Sequence, residues 1–486
     1  MIQSDRTRLA PDLSISRVVM GLWQIADMER GGTLLDAAAG AASMKEYADA
    51  GFTTFDMADH YGSAEVIAGT FGGKYGKAAG EMMTKWVPEP GPVSKETVRK
   101  AVHRALERLS TERISLLQFH AWNYADPRWL DCLFFLSELQ KEGLIAHMGL
   151  TNFDTAHLRI ALTSGINVVS NQVCYSLLDQ RASGAMTQLC HEHNVGLLAF
   201  GTLAGGFLSG RWLGKPEPTD KDLVTWSQMK YKRFIDTAGG WSAFQELLST
   251  LDVIAIRHGS TIAHVAARYV MDQPAVAGVI IGARLGQSHH AEENKKLLAL
   301  TLDPSEQSVI HSALSRLKSI PGDCGDEYRR PPFLTASGDL SHHIATMPAP
   351  YPVTDLGNGR SKALSGTIWE DLAGFSRAVR TGDQIFVSGT TATHGHVDIG
   401  GSDPAAQAHF VIDKLEGAIQ SLGGRLEDVV RTRIFMKNMN DWEVISRVHG
   451  ERFRNIQPAN TLVRADLVGD NYLLEMEADA VVGSKS

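Results

Sequence analysis

Four residues able to move or steady a proton recur at the ends of successive β-like runs: Asp56 in TTFDMADHYG, Tyr61 five residues beyond it, Lys85 in MMTKW and His120 in SLLQFHAW. A tyrosine hydroxyl, with an ordinary pKa near ~10, is a poor acid or base at neutral pH, and a cation beside it brings it toward the useful range. Lys85 is placed to be that cation. Asp56, on the neighbouring strand, is placed to be the anion that keeps Lys85 charged in an apolar pocket. His120 would orient and polarise the reacting oxygen. Each residue alone reads as a surface ion pair or a buried hydrogen-bonded side chain, but on three consecutive strand ends they read together as a proton-transfer site.

The elements that must hold them are legible. Apolar runs expected as strands at Val18–Leu22, Thr53–Asp56, Met82–Lys85, Ser115–Phe119, Ile145–Leu150, Val168–Gln172, Gly196–Phe200 and Val276–Ile281 alternate with helical patterns. Between the third and fourth runs, Val98, Ala101, Val102, Ala105, Leu106 and Leu109 fall on one helix face. Eight such pairs in about 300 residues predict a closed (β/α)8 barrel, whose active sites lie at the C-terminal strand ends. No GxGxxG follows the first strand, so a Rossmann fold is not expected.

From about residue 321 to 365 the chain turns rich in Pro, Gly, Asp and Ser and loses its period. Beyond it, strands at Gln384–Gly389, Val429–Met436, Thr461–Ala465 and Leu473–Val481, and two helices, predict a smaller α+β module. One of those helices carries Phe410, Val411, Leu415, Ala418, Ile419 and Leu422 on one face, and the other runs near Trp442–Phe453. The expected division is a barrel over 1–334, a linker over 335–364 and a second domain over 365–486.

The chain has 486 residues, and 47 Lys and Arg against 55 Asp and Glu give a net charge of −8, which makes nucleic acid and anionic membranes poor partners. The N-terminal stretch lacks a signal-peptide core, so a cytoplasmic protein is expected. Cys132, Cys174, Cys190 and Cys324 show no CxxC spacing and read as reduced thiols. His191, Glu192 and His193 point to different sides of a helix, and the pairs His289–His290 and His342–His343 fall on loops or helix ends, so no metal is assigned.

The segments FDMADHYGSAE, TKW, FHAW, GLTNF, NQVCYS, AFGTLAGGFLSGR and IIGAR, in that order, resemble the aldo-keto reductase superfamily over roughly residues 10–330. The resemblance implies Asp56, Tyr61, Lys85 and His120 as a catalytic tetrad, with Tyr61 the general acid of carbonyl reduction. It also implies a nicotinamide dinucleotide, usually NADP(H), lying extended across the barrel mouth. Carried over by position, Thr151, Asn152 and Gln172 would hold the nicotinamide carboxamide and Phe200 would stack on its ring. Leu203 and Gly205 would cover the pyrophosphate, Arg284 and Ser288 would meet the 2′-phosphate, and Glu293 and Asn294 the adenine. Gly21, Trp23 and Gly282 complete the expected cofactor set. The Gly282–Asn294 segment is two residues longer than in many relatives.

SRAVRTGDQIFVSGTTA, Gln407, DVVRTRIFMKNMNDW, PANTLV and LLEMEADAVV resemble the reactive-intermediate deaminase (Rid, or YjgF) family over about residues 365–483. That likeness implies a chorismate-mutase-like fold, trimers, and clefts between subunits that take small acids; active members hydrolyse enamines and imines derived from amino acids. Two positions depart from it. The arginine that clamps a carboxylate is here Asn460, which offers no cationic fork, and a tyrosine of many deaminases is here Phe375. Glu475 matches the family acid, and Arg464, four residues after Asn460, shares its strand face. Trimerisation, or binding of another small molecule, is expected in place of 2-imino acid hydrolysis.

The whole predicts an NADP(H)-dependent oxidoreductase that reduces a carbonyl or oxidises the alcohol, with a Rid-like domain that trimerises it and binds or processes a small reactive intermediate. The alternatives are an imine reductase coupling both domains and a non-catalytic NADP(H)-binding redox sensor on a trimeric scaffold. Substrate choice falls to the loops Trp122–Arg128 and Trp212–Trp241, where Trp122, Tyr124, Trp226, Tyr231 and Trp241 point to an apolar or ring-bearing ligand.

Overall fold

The computed structural model describes residues 5–25, 35–286 and 290–483. Its chain opens with an antiparallel hairpin, β1 (Arg6–Ala10) and β2 (Leu13–Ser16), which the sequence reading did not anticipate. Leu9, Ala10, Leu13 and Ile15 of this hairpin form a small core with Val19, Met83, Leu116, Val169, Leu198 and Ala277 of the barrel strands. The hairpin is thus a plug for the N-terminal end of the barrel, removing apolar side chains from water there.

Eight parallel strands follow: β3 (Val18–Gly21), β4 (Thr54–Asp56), β5 (Glu81–Trp86), β6 (Ile114–Phe119), β7 (Ile145–Thr151), β8 (Val168–Cys174), β9 (Gly196–Phe200) and β10 (Val276–Gly282). They close in sequence order, β10 pairing with both β9 and β3, as the alternation of strands and helices predicted. The helix Lys95–Arg108 illustrates the local logic. Ser94 caps it by accepting from Thr97 N at 3.1 Å, and Val98, Val102, Ala105 and Leu106 are buried on its inner stripe.

The segment 335–364, expected as a linker, contributes secondary structure to the second unit. Strands β11 (Val353–Gly357) and β12 (Arg360–Ala363) form a hairpin that pairs with β13 (Ala378–Thr381). After it come β14 (Gln384–Thr390), the two-residue strands β15 (Thr393–His394) and β16 (Val397–Asp398), β17 (Val429–Met436), β18 (Ala459–Arg464) and β19 (Leu474–Val481). The main sheet has seven strands in the order β11-β12-β13-β14-β19-β17-β18. Along β19, buried Leu474, Met476, Ala478 and Ala480 alternate with half-buried Glu475, Glu477 and Asp479, so one face is core and the other open.

The helix Pro404–Ser421 starts where Asp403 caps Ala405 N and Ala406 N, with Pro404 in the first turn. Its expected apolar stripe is buried, but so are Gln407, His409, Asp413 and Lys414. Gln407 and Lys414 are satisfied inside the domain, by Gly401, Asn471 and Leu473 and by the Thr391 and Thr393 carbonyls, whereas Asp413 is covered because this helix also lies against the barrel. Asp413 Oδ2 meets His157 Nε2 at 2.9 Å, Gln420 accepts from Asn123 Nδ2 at 3.2 Å, and a Cβ on Gly417 would stand 2.2 Å from Ala125 O. His157 is held on its other nitrogen by Asp154 at 2.6 Å and stacks on Tyr124 with ring centroids 3.4 Å apart. Arg452 completes the bridge, donating to Asp413 at 2.6 Å and to Glu416 at 2.8 Å. All four cysteines are free and buried, and among the described residues no helix is long and apolar enough to cross a membrane.

Candidate functional site

β4, β5 and β6 are neighbours in the barrel, so Asp56, Lys85 and His120 come to one rim, and the turn after β4 brings Tyr61 to them. Lys85 Nζ donates to Asp56 Oδ2 at 2.7 Å and to Met57 O at 2.8 Å, and it stands 5.0 Å from the centre of the Tyr61 ring. Asp56 Oδ1 accepts from Gln172 Nε2 at 2.7 Å and from Gln118 Nε2 at 3.2 Å. Both oxygens of a carboxylate buried to 3% exposure are therefore satisfied, as such a charge requires.

The electrostatics differ from the sequence expectation in one respect. Burial, reinforced by Asp56, raises the Tyr61 phenol well above its ordinary range, whereas Lys85 was expected to lower it. The Lys85 charge is answered first by Asp56, and burial lowers its own pKa despite that partner. Burial, with the Arg329 guanidinium, holds His120 well below the usual imidazole value, so the ring is neutral at physiological pH. Its Nδ1 lies 3.3 Å from Thr151 O, and its Nε2 is buried without a partner among the described residues.

These side chains floor a cleft of about 750 Å³ that extends past Gly21, Trp23, Thr151, Asn152, Gln172, Phe200, Leu203, Gly205, Gly282, Arg284, Glu293 and Asn294. Of the expected cofactor set, only Ser288 lies outside the described residues. Trp122, Trp226 and Tyr231 also line it, but Tyr124 is committed to His157 and Trp241 packs among Phe207, Trp212 and Phe244.

The family model described as Aldo/keto reductase family matches residues 17–315. The chain belongs to the aldo/keto reductase family and is an oxidoreductase. A second model, Endoribonuclease L-PSP, matches residues 369–482 and identifies the smaller domain as YjgF-like. Aldo-keto reductase YhdN of Bacillus subtilis is 25% identical over 66% of this chain and 96% of its own length. The uncharacterized protein SCO2049 of Streptomyces coelicolor is 35% identical over 25% of this chain and 92% of its own. The structure of a glycerol dehydrogenase, AKR11B4 of Gluconobacter oxydans, covers 66% of this chain and 98% of its own at 21% identity and a TM-score of 0.52, a likeness of fold.

The aldo/keto reductase cleft suits a nicotinamide dinucleotide on its own observations. Asn152, at φ +59°, has a buried Oδ1 without a partner among the described residues, an acceptor of the kind a carboxamide NH2 needs. Gly205 is at φ +62°, and a Cβ there would meet Ser227 O at 2.8 Å, so the loop after β9 closes only with glycine at this point. Other members of the expected set have protein partners. The Gln172 amide nitrogen is occupied by Asp56 and Gln118, and Glu293 pairs with Lys296 at 2.8 Å. Arg284 is exposed, with Nε 3.2 Å from Gln24 Oε1.

In the YjgF-like domain the four expected cleft residues do not meet within one chain. Glu475 lies on the open face of β19 and packs so closely on Gly389 that a Cβ there would stand 1.8 Å from Oε1. Phe375 lies beneath Arg377, whose Nη1 donates to Gly389 O at 2.7 Å, so Phe375 and Glu475 share this neighbourhood. Asn460 and Arg464 pair with Thr432 and Met436, both core-facing, and so occupy the helix-side face of edge strand β18. Asn460 Nδ2 is tied to Thr432 Oγ1 at 2.9 Å, which also meets His449 Nε2 at 2.8 Å. Spacing along β18 fixed which residues go together but not which side of the sheet they face, because that depends on the partner strand.

Proposed function

We propose that the barrel is an NADP(H)-dependent reductase of aldehydes or ketones that also runs in reverse on alcohols. The observation that carries this reading is the Asp56, Tyr61, Lys85 and His120 group at the floor of a cleft whose wall offers the free Asn152 acceptor. The chemistry a bound nicotinamide supplies is hydride transfer. The Tyr61 hydroxyl, kept protonated by burial, gives its proton to the carbonyl oxygen as the alcohol forms. The Lys85 ammonium, 5.0 Å from that ring, steadies the phenolate left behind, and Asp56 keeps the ammonium in place. Neutral His120 serves the reacting oxygen as a donor in the tautomer that carries its proton on the unpartnered Nε2 and leaves Nδ1, 3.3 Å from Thr151 O, without one. Asn152 and Thr151 hold the carboxamide, and Phe200 supports the ring. NADPH consumption by the full chain, measured with a panel of aldehydes, ketones and cyclic imines, tests the proposal; binding without turnover on any of them would favour the sensor.

NADPH is expected to bind more tightly than NADH. Arg284→Ala should weaken NADPH by about tenfold or more, the worth of one charge-assisted hydrogen bond, and leave NADH nearly unchanged. Fluorescence titration of both cofactors reads this directly, and equal wild-type affinities would remove Arg284 from the 2′-phosphate site.

We assign residues up to about 334 to the reductase, and the strands from Val353 onward to the YjgF-like domain. The same proposal has that domain trimerise the chain through its open sheet face, where Phe386 is 46% exposed beside the Arg433, Glu477 and Asp479 ion pairs. Glu475 lies on that open face, whereas Asn460 and Arg464, on the helix side of edge strand β18, would reach a neighbouring chain only around that edge; sedimentation of the full chain checks the assembly. Asn460, neutral and tied to Thr432, cannot clamp a carboxylate, so hydrolysis of 2-iminobutyrate is expected to stay near the uncatalysed rate. Robust hydrolysis would mean that Arg464 has taken the clamp's role. Four buried free thiols support a reducing, cytoplasmic location.

A further inference from the structure

A second lysine and tyrosine face the same cleft, and their bonding differs from that of the first pair. Lys230, on the helix Trp226–Thr237, and Tyr328, in the turn Asp326–Arg329 beyond the barrel, both line the cleft with Tyr61 and His120. Lys230 Nζ donates to Tyr328 Oη at 2.8 Å, and among the described residues that is the only hydrogen bond the ammonium makes. The nearest carboxylate, Glu327, is 4.0 Å away and gives its other oxygen to Arg181 at 2.8 Å. The remaining neighbours are ring faces: Tyr328, Phe200, Tyr231 and Phe234 have centroids 4.5, 5.0, 5.4 and 5.8 Å from Nζ. Lys85, by contrast, has a carboxylate and a carbonyl within hydrogen-bond distance.

An ammonium has three donors, so Lys230 keeps two unused at 9% exposure. Tyr328 accepts from Lys230, which leaves its own O–H to donate elsewhere. Burial opposes the Lys230 charge, but Tyr328 and Glu327 outweigh it and hold the pKa above the ordinary lysine value. Two N–H of the ammonium and the Tyr328 O–H therefore converge on one wall, where among the described residues the nearest protein carboxylate oxygen, Glu327 Oε1, stays at 4.0 Å, beyond hydrogen-bond reach; the combination matches a carboxylate. The Tyr328 ring lies edge-on to His120 at 6.1 Å, so an anion held there is next to the reacting oxygen's position.

We propose that the physiological substrate is an oxo acid, an aldehyde or ketone whose carboxylate is received by Lys230 and Tyr328 while its carbonyl faces Tyr61. This rests on the reductase reading and names the substrate class for that site. The test compares 4-carboxybenzaldehyde with its methyl ester, and 4-oxobutanoate with its methyl ester, on the full chain with NADPH. Each acid is expected to exceed its ester in kcat/KM by about tenfold or more, chiefly through KM. Lys230→Met should bring the ratio close to one, Tyr328→Phe should reduce it severalfold, and Lys230→Arg should retain most of it. Benzoate titrated against the NADPH complex, read by the fluorescence of Trp122 and Trp226, should bind at least about tenfold more weakly to Lys230→Met. Acid-to-ester ratios near one in the wild type, or a ratio unchanged in Lys230→Met while NADPH affinity falls, would overturn the assignment. If no aldehyde turns over, the reductase reading fails, and the benzoate titration decides the Lys230 site by itself.

Discussion

Tyr61→Phe is expected to lower carbonyl turnover by about 10²-fold or more while NADPH affinity changes little. The substitution removes only the hydroxyl. The ring keeps its edge contact with Trp23 at 4.9 Å and its place beside Lys85, so the cleft retains its shape. Steady-state rates and a cofactor titration on the same preparation separate the two effects, and survival of most of the rate would mean that the proton comes from a group other than Tyr61. The pH profile should agree. Because the Tyr61 pKa is raised, the donor stays loaded through neutral pH and the reductive rate should fall only in alkali, above the ordinary ~10 of a phenol. His120, held well below its usual value, should give no break near ~6.5.

Asp413→Ala is expected to cost about 3–5 kcal/mol of stability, the range found when one partner of a buried ion pair is removed. It would leave the Arg452 guanidinium and the His157 imidazolium facing each other without the carboxylate between them. Thermal or urea unfolding measures the loss, and a change below about 1 kcal/mol would mean that water replaces Asp413 readily. Burial works against the His157 charge, but Asp154 and Asp413 outweigh it and raise the pKa. That stabilisation is complete below the unfolded value near ~6.5 and is lost as pH rises through the higher folded value. Burial also works against the two carboxylates; Arg452 and His157 depress Asp413, and His157 depresses Asp154. Their contribution is present above ~3.8 and is lost on acidification through their lowered values. The domain junction should therefore be firmest in mildly acid solution, and Asp413→Ala should flatten that dependence.

The barrel was readable because each parallel strand is a short apolar run between amphipathic helices, and closure then dictates where strand ends lie. Asp56, Lys85 and His120 could be grouped on that basis alone. The β11–β12 hairpin was missed although Asn358-Gly359 is a strong turn signal, both residues having φ near +54° and +71°. All five residues of β11 are exposed, so no apolar alternation marked the strand and the Pro and Gly composition read as a linker. Lys230 and Tyr328 are 98 residues apart, on a helix and a post-barrel turn, and only tertiary packing joins them. Asp413 and His157 were hidden for a related reason: a polar residue on a helix reads as solvated until a second surface is known to cover it.

The helix Pro404–Ser421 is enclosed on both sides, by its own sheet and by the barrel, which leaves the opposite face of that sheet as the surface free to meet other copies. In any closed ring built on that face the sheets form the hub and the reductases stand on the periphery. Such a ring predicts that each reductase works independently of its neighbours. Mixed assemblies of wild-type and Tyr61→Phe chains would accordingly lose activity in linear proportion to the mutant fraction.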